Sequence, residues 1–346
     1  MIFFLLLLLI LSCSSMKIAK EGQFHQDYLS KENTTAINGI FVILVLLCHF
    51  TQYVTFGMTF VDQSFVYFKS HLGQLVVTTF LFYSGYGIIC SISKKGMPYI
   101  KSIPKKRFLS VLIHFDIAVL IFMILNLCLG RNFSLKTNLL ALTGWESIGN
   151  SNWYIFAILC LYLIVFIAFI VCRGNKYVGT ILTTVLTIAF VYLMIKAKKP
   201  AYYYNTLICY PCGMLYGLFK EKIDKVAMKS DFIYTCFVAV AFAGFLFTYR
   251  IRNVGVEQFS LCCIFFIAVI VLVSMKIQLN NEFLRLTGSH VFAIYILQRI
   301  PMLILSRTEI VNYRYVFLIL TFIITLALTF VFDKCMTAID KKLLHK

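Results

Sequence analysis

Long apolar runs separated by short polar and basic stretches occupy nearly the whole chain, and within each run apolar residues follow one another without the alternation of a barrel strand. A helix needs about 20 such residues to cross the hydrocarbon of a bilayer. Ten runs approach that length: Ala36 to Phe56, Leu72 to Ile92, Phe108 to Gly130, Trp153 to Cys172, Val178 to Ile195, Tyr202 to Phe219, Phe232 to Tyr249, Phe259 to Met275, Val291 to Ser306 and Tyr315 to Phe332. The pattern predicts an all-α, polytopic integral membrane protein with about ten transmembrane helices and no soluble domain of any size. Residues 36–346 read as one membrane domain, residues 16–35 as a polar lead-in, and residues 1–15 as a separate apolar segment. Met1 to Leu11 is too short to span and lacks the positive start of a signal peptide. It is either signal-like, with Cys13 after Ile10-Leu11-Ser12 in loose likeness to a lipobox, or an overhang before a start at Met16.

Composition agrees, since 61% hydrophobic residues, 13% charged residues and a mean hydropathy of +0.88 exclude an ordinary soluble domain. The net charge of +18 lies in the loops. With the lead-in inside, cytoplasmic segments hold roughly twice as many Lys and Arg as external ones, which places both termini in the cytoplasm. Lys94, Lys95, Lys101, Lys105, Lys106 and Arg107 carry most of this bias, while Lys196, Lys198 and Lys199 run against it. The positive charge suits anionic membrane lipid better than nucleic acid, because no interleaved basic and aromatic surface accompanies it. Most of the twelve cysteines fall inside runs, where they act as apolar filler. Cys209-Tyr-Pro-Cys212 lacks the second pair or nearby His of a metal site, so no metal is expected.

One ionisable side chain sits deep in the first run. His49 follows Ala36 by thirteen residues, about 20 Å along a helix and past the midplane, and such a group is costly unless it has a function. Asn38 lies eleven residues earlier, about 20° off the same face and about 16 Å away along the axis, so the two can line one path. The plainer alternative is that His49 bonds a neighbouring helix.

The stretch Thr34-Thr35-Ala36-Ile37-Asn38-Gly39-Ile40 through Cys48-His49-Phe50 resembles the first span of the membrane-bound acyltransferase family 3. Three further pieces agree in order: Phe80-Leu81-Phe82-Tyr83-Ser84-Gly85-Tyr86-Gly87-Ile88, Asn152-Trp153-Tyr154-Ile155, and Leu286-Thr287-Gly288-Ser289 with Ile294-Tyr295-Ile296-Leu297. The resemblance implies a multi-pass enzyme of the bacterial plasma membrane. Such an enzyme moves an acyl group, usually acetyl from cytoplasmic acetyl-CoA, onto a sugar hydroxyl of an exported polysaccharide, lipid-linked saccharide or cell-wall glycan. The chain departs from the family pattern at Asn38, where Arg or Lys is usual, at Gln298, where His is frequent, and in the basic loop, where Ser110 closes the spacing that Arg normally closes. Arg299, about 12 Å inside its span, is a candidate for the missing cation. An ion pair with Asp116 in the third span is the structural alternative.

Acyl transfer needs a base for the acceptor hydroxyl or a nucleophile to hold the acyl group, and donors for the oxyanion. Imidazole serves either of the first two roles, which makes His49 the expected catalytic residue with Asn38, Arg299 and Asp116 around it. The phosphates of CoA are expected near Lys105, Lys106 and Arg107, although plain topogenic charge also explains these residues. Tyr83, Ser84 and Tyr86 are candidates for the acyl path or oxyanion, and Gly85 for helix packing. Arg131 to Asn152 is the longest predicted external loop, and Trp145, Glu146, Asn152 and Trp153 are its candidate acceptor contacts, with the aromatic belt as alternative for the rings. A multi-span transporter remains the competing function; Pro211, Gly213 and Gly217 mark one possible broken helix, but the other half shows no counterpart.

Overall fold

The computed structural model describes residues 1–344 and is almost wholly helical. Helix α1 (Ile2–Cys13) leads to a short strand β1 (Met16–Ile18) and then to α2 (Lys31–Phe50). Next, α3 (Phe60–Leu72) continues through a turn at Gly73–Val77 into α4 (Thr78–Lys95), and α5 (Met97–Ile103) through a π-helical turn at Pro104–Leu109 into α6 (Ser110–Cys128). The short α7 (Leu135–Leu142) precedes α8 (Trp153–Val171), α9 (Lys176–Lys196), α10 (Cys209–Ala227), α11 (Asp231–Ile251) and α12 (Val256–Lys276). Strand β2 (Ile277–Leu279), α13 (Glu282–Ser289), α14 (Val291–Leu297), α15 (Arg299–Leu305) and α16 (Arg314–Ile339) complete the chain.

Among the described residues, eight segments are long and apolar enough to cross a bilayer, and α13 with α14–α15 forms a ninth candidate bent by 67°. The chain is therefore an all-α polytopic membrane protein. Two of the ten expected spans change character. Tyr202 to Phe219 becomes a turn at Ala201–Tyr203 followed by α10, which starts at Cys209 and carries Lys220, Glu221, Lys222, Asp224 and Lys225 in its second half. Val291 to Ser306 is divided at Gln298 into α14 and α15. Boundaries also shift where caps outweigh hydropathy: Ser30 accepts the Asn33 N–H at 3.3 Å, so α2 begins at Lys31. Gly96, at φ +60°, ends α4 in a conformation that side-chain-bearing residues rarely adopt.

Part of the lead-in is ordered against the chain's second half. Met16 to Ile18 pairs antiparallel with Ile277 to Leu279. Buried Asn33 clasps both pieces, donating to Tyr28 O at 2.7 Å and accepting from Leu279 N at 2.9 Å. These contacts define a near end of the bundle, which also holds His290 with Asp333 and His114 with Asp340. The far end holds Gln52 to Asp62, Leu129 to Asn152 and Arg307 to Tyr315, tied together by Arg307 to Leu129 O and by Arg314 to Asp62. Helix α1 runs along the flank between the two: the Met1 amine donates to Tyr315 Oη at 3.0 Å, and Leu11 O accepts from Asn281 at 3.1 Å. Met1 thus lies at the end of the bundle opposite Asp340. No charged residue among the first fifteen holds them at the near end.

Lipid offers helices little hydrophobic reason to pair, so close packing of small residues has to supply the attraction. The structure shows two such contacts. A Cβ at Gly39 would overlap the Leu284 carbonyl and one at Gly288 the Thr35 carbonyl, joining α2 to α13; Gly85 and Gly213 do the same for α4 and α10 against Tyr210 and Phe82. Gly85 is therefore a packing residue, as expected. One apolar core gathers α2, α6 and α14 to α16, a second gathers α4, α8, α10 and α12, and a cavity opens along the seam between them.

Candidate functional site

The seam cavity encloses about 540 Å³ and draws its wall from helices distant in sequence. From α2 comes Asn38, from α4 Tyr83 and Ser84, from the π-helical turn Arg107, from α6 His114, from α8 Tyr154 and Tyr162, and from the start of α14 His290 and Tyr295. Ser84 Oγ lies 3.4 Å from Tyr162 Oη, and Arg107 Nε donates to Tyr99 Oη at 3.2 Å. At the near end the two histidines are held by carboxylates in and just after α16: His290 Nδ1 bonds Asp333, and His114 Nε2 meets Asp340, the residue after the helix, at 3.0 Å.

Toward the far end the cavity closes on Tyr154 and Tyr295, whose rings meet edge-on at 5.6 Å between centroids. His49 stands directly behind this closure, its ring centroid 6.1 Å from that of Tyr295. It is partly buried, and its Nδ1 is buried without a hydrogen-bond partner. Beyond His49 the Arg299 guanidinium spreads across the far side, donating from Nε to Ser151 at 3.2 Å, from Nη1 to Tyr53 at 3.4 Å and from Nη2 to Gln52 at 2.9 Å. All three acceptors are neutral. Asn38 Oδ1 and Gln298 Oε1 are also buried with no partner. Leaving a buried polar group unpaired costs about 1–3 kcal/mol; of these three, Asn38 lines the cavity, His49 adjoins its closing ring Tyr295, and Gln298 precedes Arg299 in the chain.

A family profile described as an acyltransferase domain matches residues 35–334, nearly the whole chain. The chain belongs to acyltransferase family 3. No match is found among curated proteins or among solved structures.

Within this acyltransferase the structure gathers some of the sequence candidates and separates others. Asn38, Tyr83, Ser84 and Arg107 share the cavity, and His49 adjoins it across Tyr295. Tyr86 does not line it; its ring faces Tyr216 on α10. Lys105, Lys106 and Arg107 are all exposed on the turn at Pro104–Leu109, and of the three Arg107 lines the cavity wall. Asp116 does not pair with Arg299. It lies under two turns into α6 from the near end, whereas the chain reaches Gln52 at the far end by the time it arrives at Arg299. Asp116 Oδ1 is left buried without a partner.

The external-loop candidates are committed to their own loop. The Lys199 ammonium sits 3.9 Å from the Trp145 ring centroid, donates to Trp145 O at 2.6 Å and lies 3.6 Å from Glu146. Asn152 is buried and donates to Gly144 O and Tyr203 Oη, both at 2.8 Å. Trp153 meets Tyr154 and Tyr202 edge-on. Lys199, whose charge ran against the loop rule, is thus a structural cation. Sequence reasoning missed His114, His290, Asp333, Tyr154, Tyr162 and Tyr295 as neighbours of the site. The signal existed for His114, an ionisable residue inside an apolar run like His49.

Proposed function

We propose that this acyltransferase transfers an acetyl group from acetyl-CoA, entering from a cytoplasmic near end, to a sugar hydroxyl of an exported or cell-surface glycan at an external far end. Arg107 at the cavity wall receives phosphate, and the thin pantetheine arm follows Asn38 and Ser84 toward Tyr295. His49 acts as base or acyl carrier. As base, its imidazole takes the hydroxyl proton while the sugar oxygen bonds the thioester carbonyl carbon; the C–S bond then breaks, and the imidazolium returns the proton to the departing thiolate. Tyr295, whose ring lies 6.1 Å from that of His49, and Arg299 are the donors for the oxyanion. Arg299 takes the place of the cation that the family usually carries at the position of Asn38.

The observation that supports this reading is the seam cavity, which gathers Asn38, Ser84 and Arg107 in its wall and closes on Tyr295, the ring beside His49, whose Nδ1 is buried without a partner. The decisive experiment measures alkali-labile acetate on envelope glycan in cells carrying wild type or His49→Ala at equal membrane abundance. Loss of at least 100-fold is expected. Wild-type acetylation in His49→Ala would remove the proposal.

A further inference from the structure

A second cavity, of about 700 Å³, lies at the far end between Tyr53 to Thr55, just after α2, and Val311 to Val316, leading into α16. Its size falls within the roughly 300–1,000 Å³ of ordinary ligand clefts. Two phenol rings, Tyr53 and Tyr313, stand among Thr55, Asn312 and Arg314, beside a third, Tyr315, that is stacked on Phe4 and bonded to the Met1 amine. Both Arg314 hydrogen bonds leave from Nη1, to Asp62 at 2.9 Å and to Thr55 O at 3.4 Å. Its Nη2 and Nε therefore have no protein acceptor among the described residues. Asn312 is exposed and spends one amide hydrogen on Glu309. Flat rings beside fixed N–H donors are what a saccharide requires, since pyranose C–H faces pack on aromatic rings while hydroxyls bond guanidinium and amide groups.

The cavity is also joined to the reaction centre. Tyr53 follows His49 by one turn, held by its N–H to Phe50 O at 3.0 Å, and its hydroxyl accepts from the same Arg299 that flanks His49. The Trp145 loop offers no comparable opening, because Lys199, Glu146, Asn152 and Tyr203 already satisfy one another there. We infer that the acceptor saccharide docks in the Tyr53–Arg314 cavity and presents its hydroxyl to His49 past Tyr53 and Arg299. This inference rests on the acyl-transfer reading above.

The test places a single thiol on the cavity wall at a residue that offers no polar contact, Val316→Cys, with Val54→Cys as its duplicate should the first fail to accumulate. Thr143→Cys, exposed on the Trp145 loop, serves as comparison. Intact cells are treated with a bulky, membrane-impermeant maleimide, and new alkali-labile acetate on envelope glycan is followed with labelled acetate. Wild type treated alike controls for native thiols such as the exposed Cys128. Modified Val316→Cys should lose at least 10-fold of its rate, and modified Thr143→Cys and wild type less than 2-fold. Full modification of the cavity variants without loss, loss confined to Thr143→Cys, or failure of both cavity thiols to react from outside would each overturn the inference. His49→Ala acetylating normally would instead remove the underlying reading, whatever the thiol variants do.

Discussion

Replacing Gly39 by Ala tests whether the site depends on the α2–α13 contact. A Cβ at Gly39 would lie 2.7 Å from Thr287 Oγ1 and 2.8 Å from the Leu284 carbonyl carbon, against 3.4 Å for ordinary contact, and would overlap the carbonyl oxygen itself. Backbone cannot rotate away as a side-chain tip can, so α13 must retreat by roughly 1 Å. Overpacking of this kind costs about 1–3 kcal/mol, offset by up to about 1 kcal/mol of better helix propensity, which leaves a net loss of roughly 1–2 kcal/mol. The displaced helix ends at the cavity residues Gly288, Ser289 and His290, and a shift near 1 Å at a reacting geometry costs on the order of 100-fold in rate. Gly87→Ala is the matched control, since a Cβ there meets nothing within 4 Å, and it should be neutral or slightly stabilising. Thermal unfolding of detergent-purified protein and envelope O-acetylation would be measured for both. If Gly39→Ala matches Gly87→Ala in both assays, the contact does not position the site.

Arg299→Gln should reduce acetylation by more than 10-fold with unchanged membrane abundance, while Arg299→Lys, which keeps charge but not the three-way fan of donors, should fall between; equal activity of Gln and Arg would refute its role. Asp333→Asn removes the carboxyl partner of His290 and should raise the KM for acetyl-CoA at least 3-fold with a smaller change in kcat, as measured in inside-out vesicles. Lys199→Met leaves Glu146 without its partner and uncovers the Trp145 ring, so the loop at residues 143–152 should become protease-sensitive and stability should fall by about 1–3 kcal/mol. Tyr203 lies outside the spans, and burial pushes its hydroxyl up to about 12. An unfolded phenol ionises near about 10, so its stabilisation is complete below that pH and is lost as pH rises from about 10 to about 12. Tyr203→Phe should flatten that part of the stability profile.

Hydropathy located most spans because continuous apolar runs have few other uses, and it failed where charge and polarity serve tertiary contacts. In α10 the second half carries five charged residues, and Lys220 meets Asp224 there instead of marking a loop. Helical spacing placed Asn38 and His49 on one face, but it could not show that Tyr295 intervenes, since that depends on how α14 crosses α2. Treating Val291 to Ser306 as one span gives Arg299 and Asp116 similar depths and makes their ion pair an open alternative, but Arg299 bonds Gln52 at the far end while Asp116 stays under two turns into α6. The loop at Trp145 looked like a receptor for sugar because a sequence shows functional groups without showing that Lys199, fifty-odd residues on, already occupies them.

The two glycine contacts restrict how this protein can move. Where one backbone rests against another's carbonyl, sliding by a single residue would bring a side chain into that gap, so α2 with α13 and α4 with α10 each behave as one rigid body. Any rocking that admits a donor or releases a product is therefore confined to the boundary between these bodies. The Tyr154 and Tyr295 rings, on α8 and α14, belong to neither body, so the closure they form over the cavity can part without breaking either glycine contact.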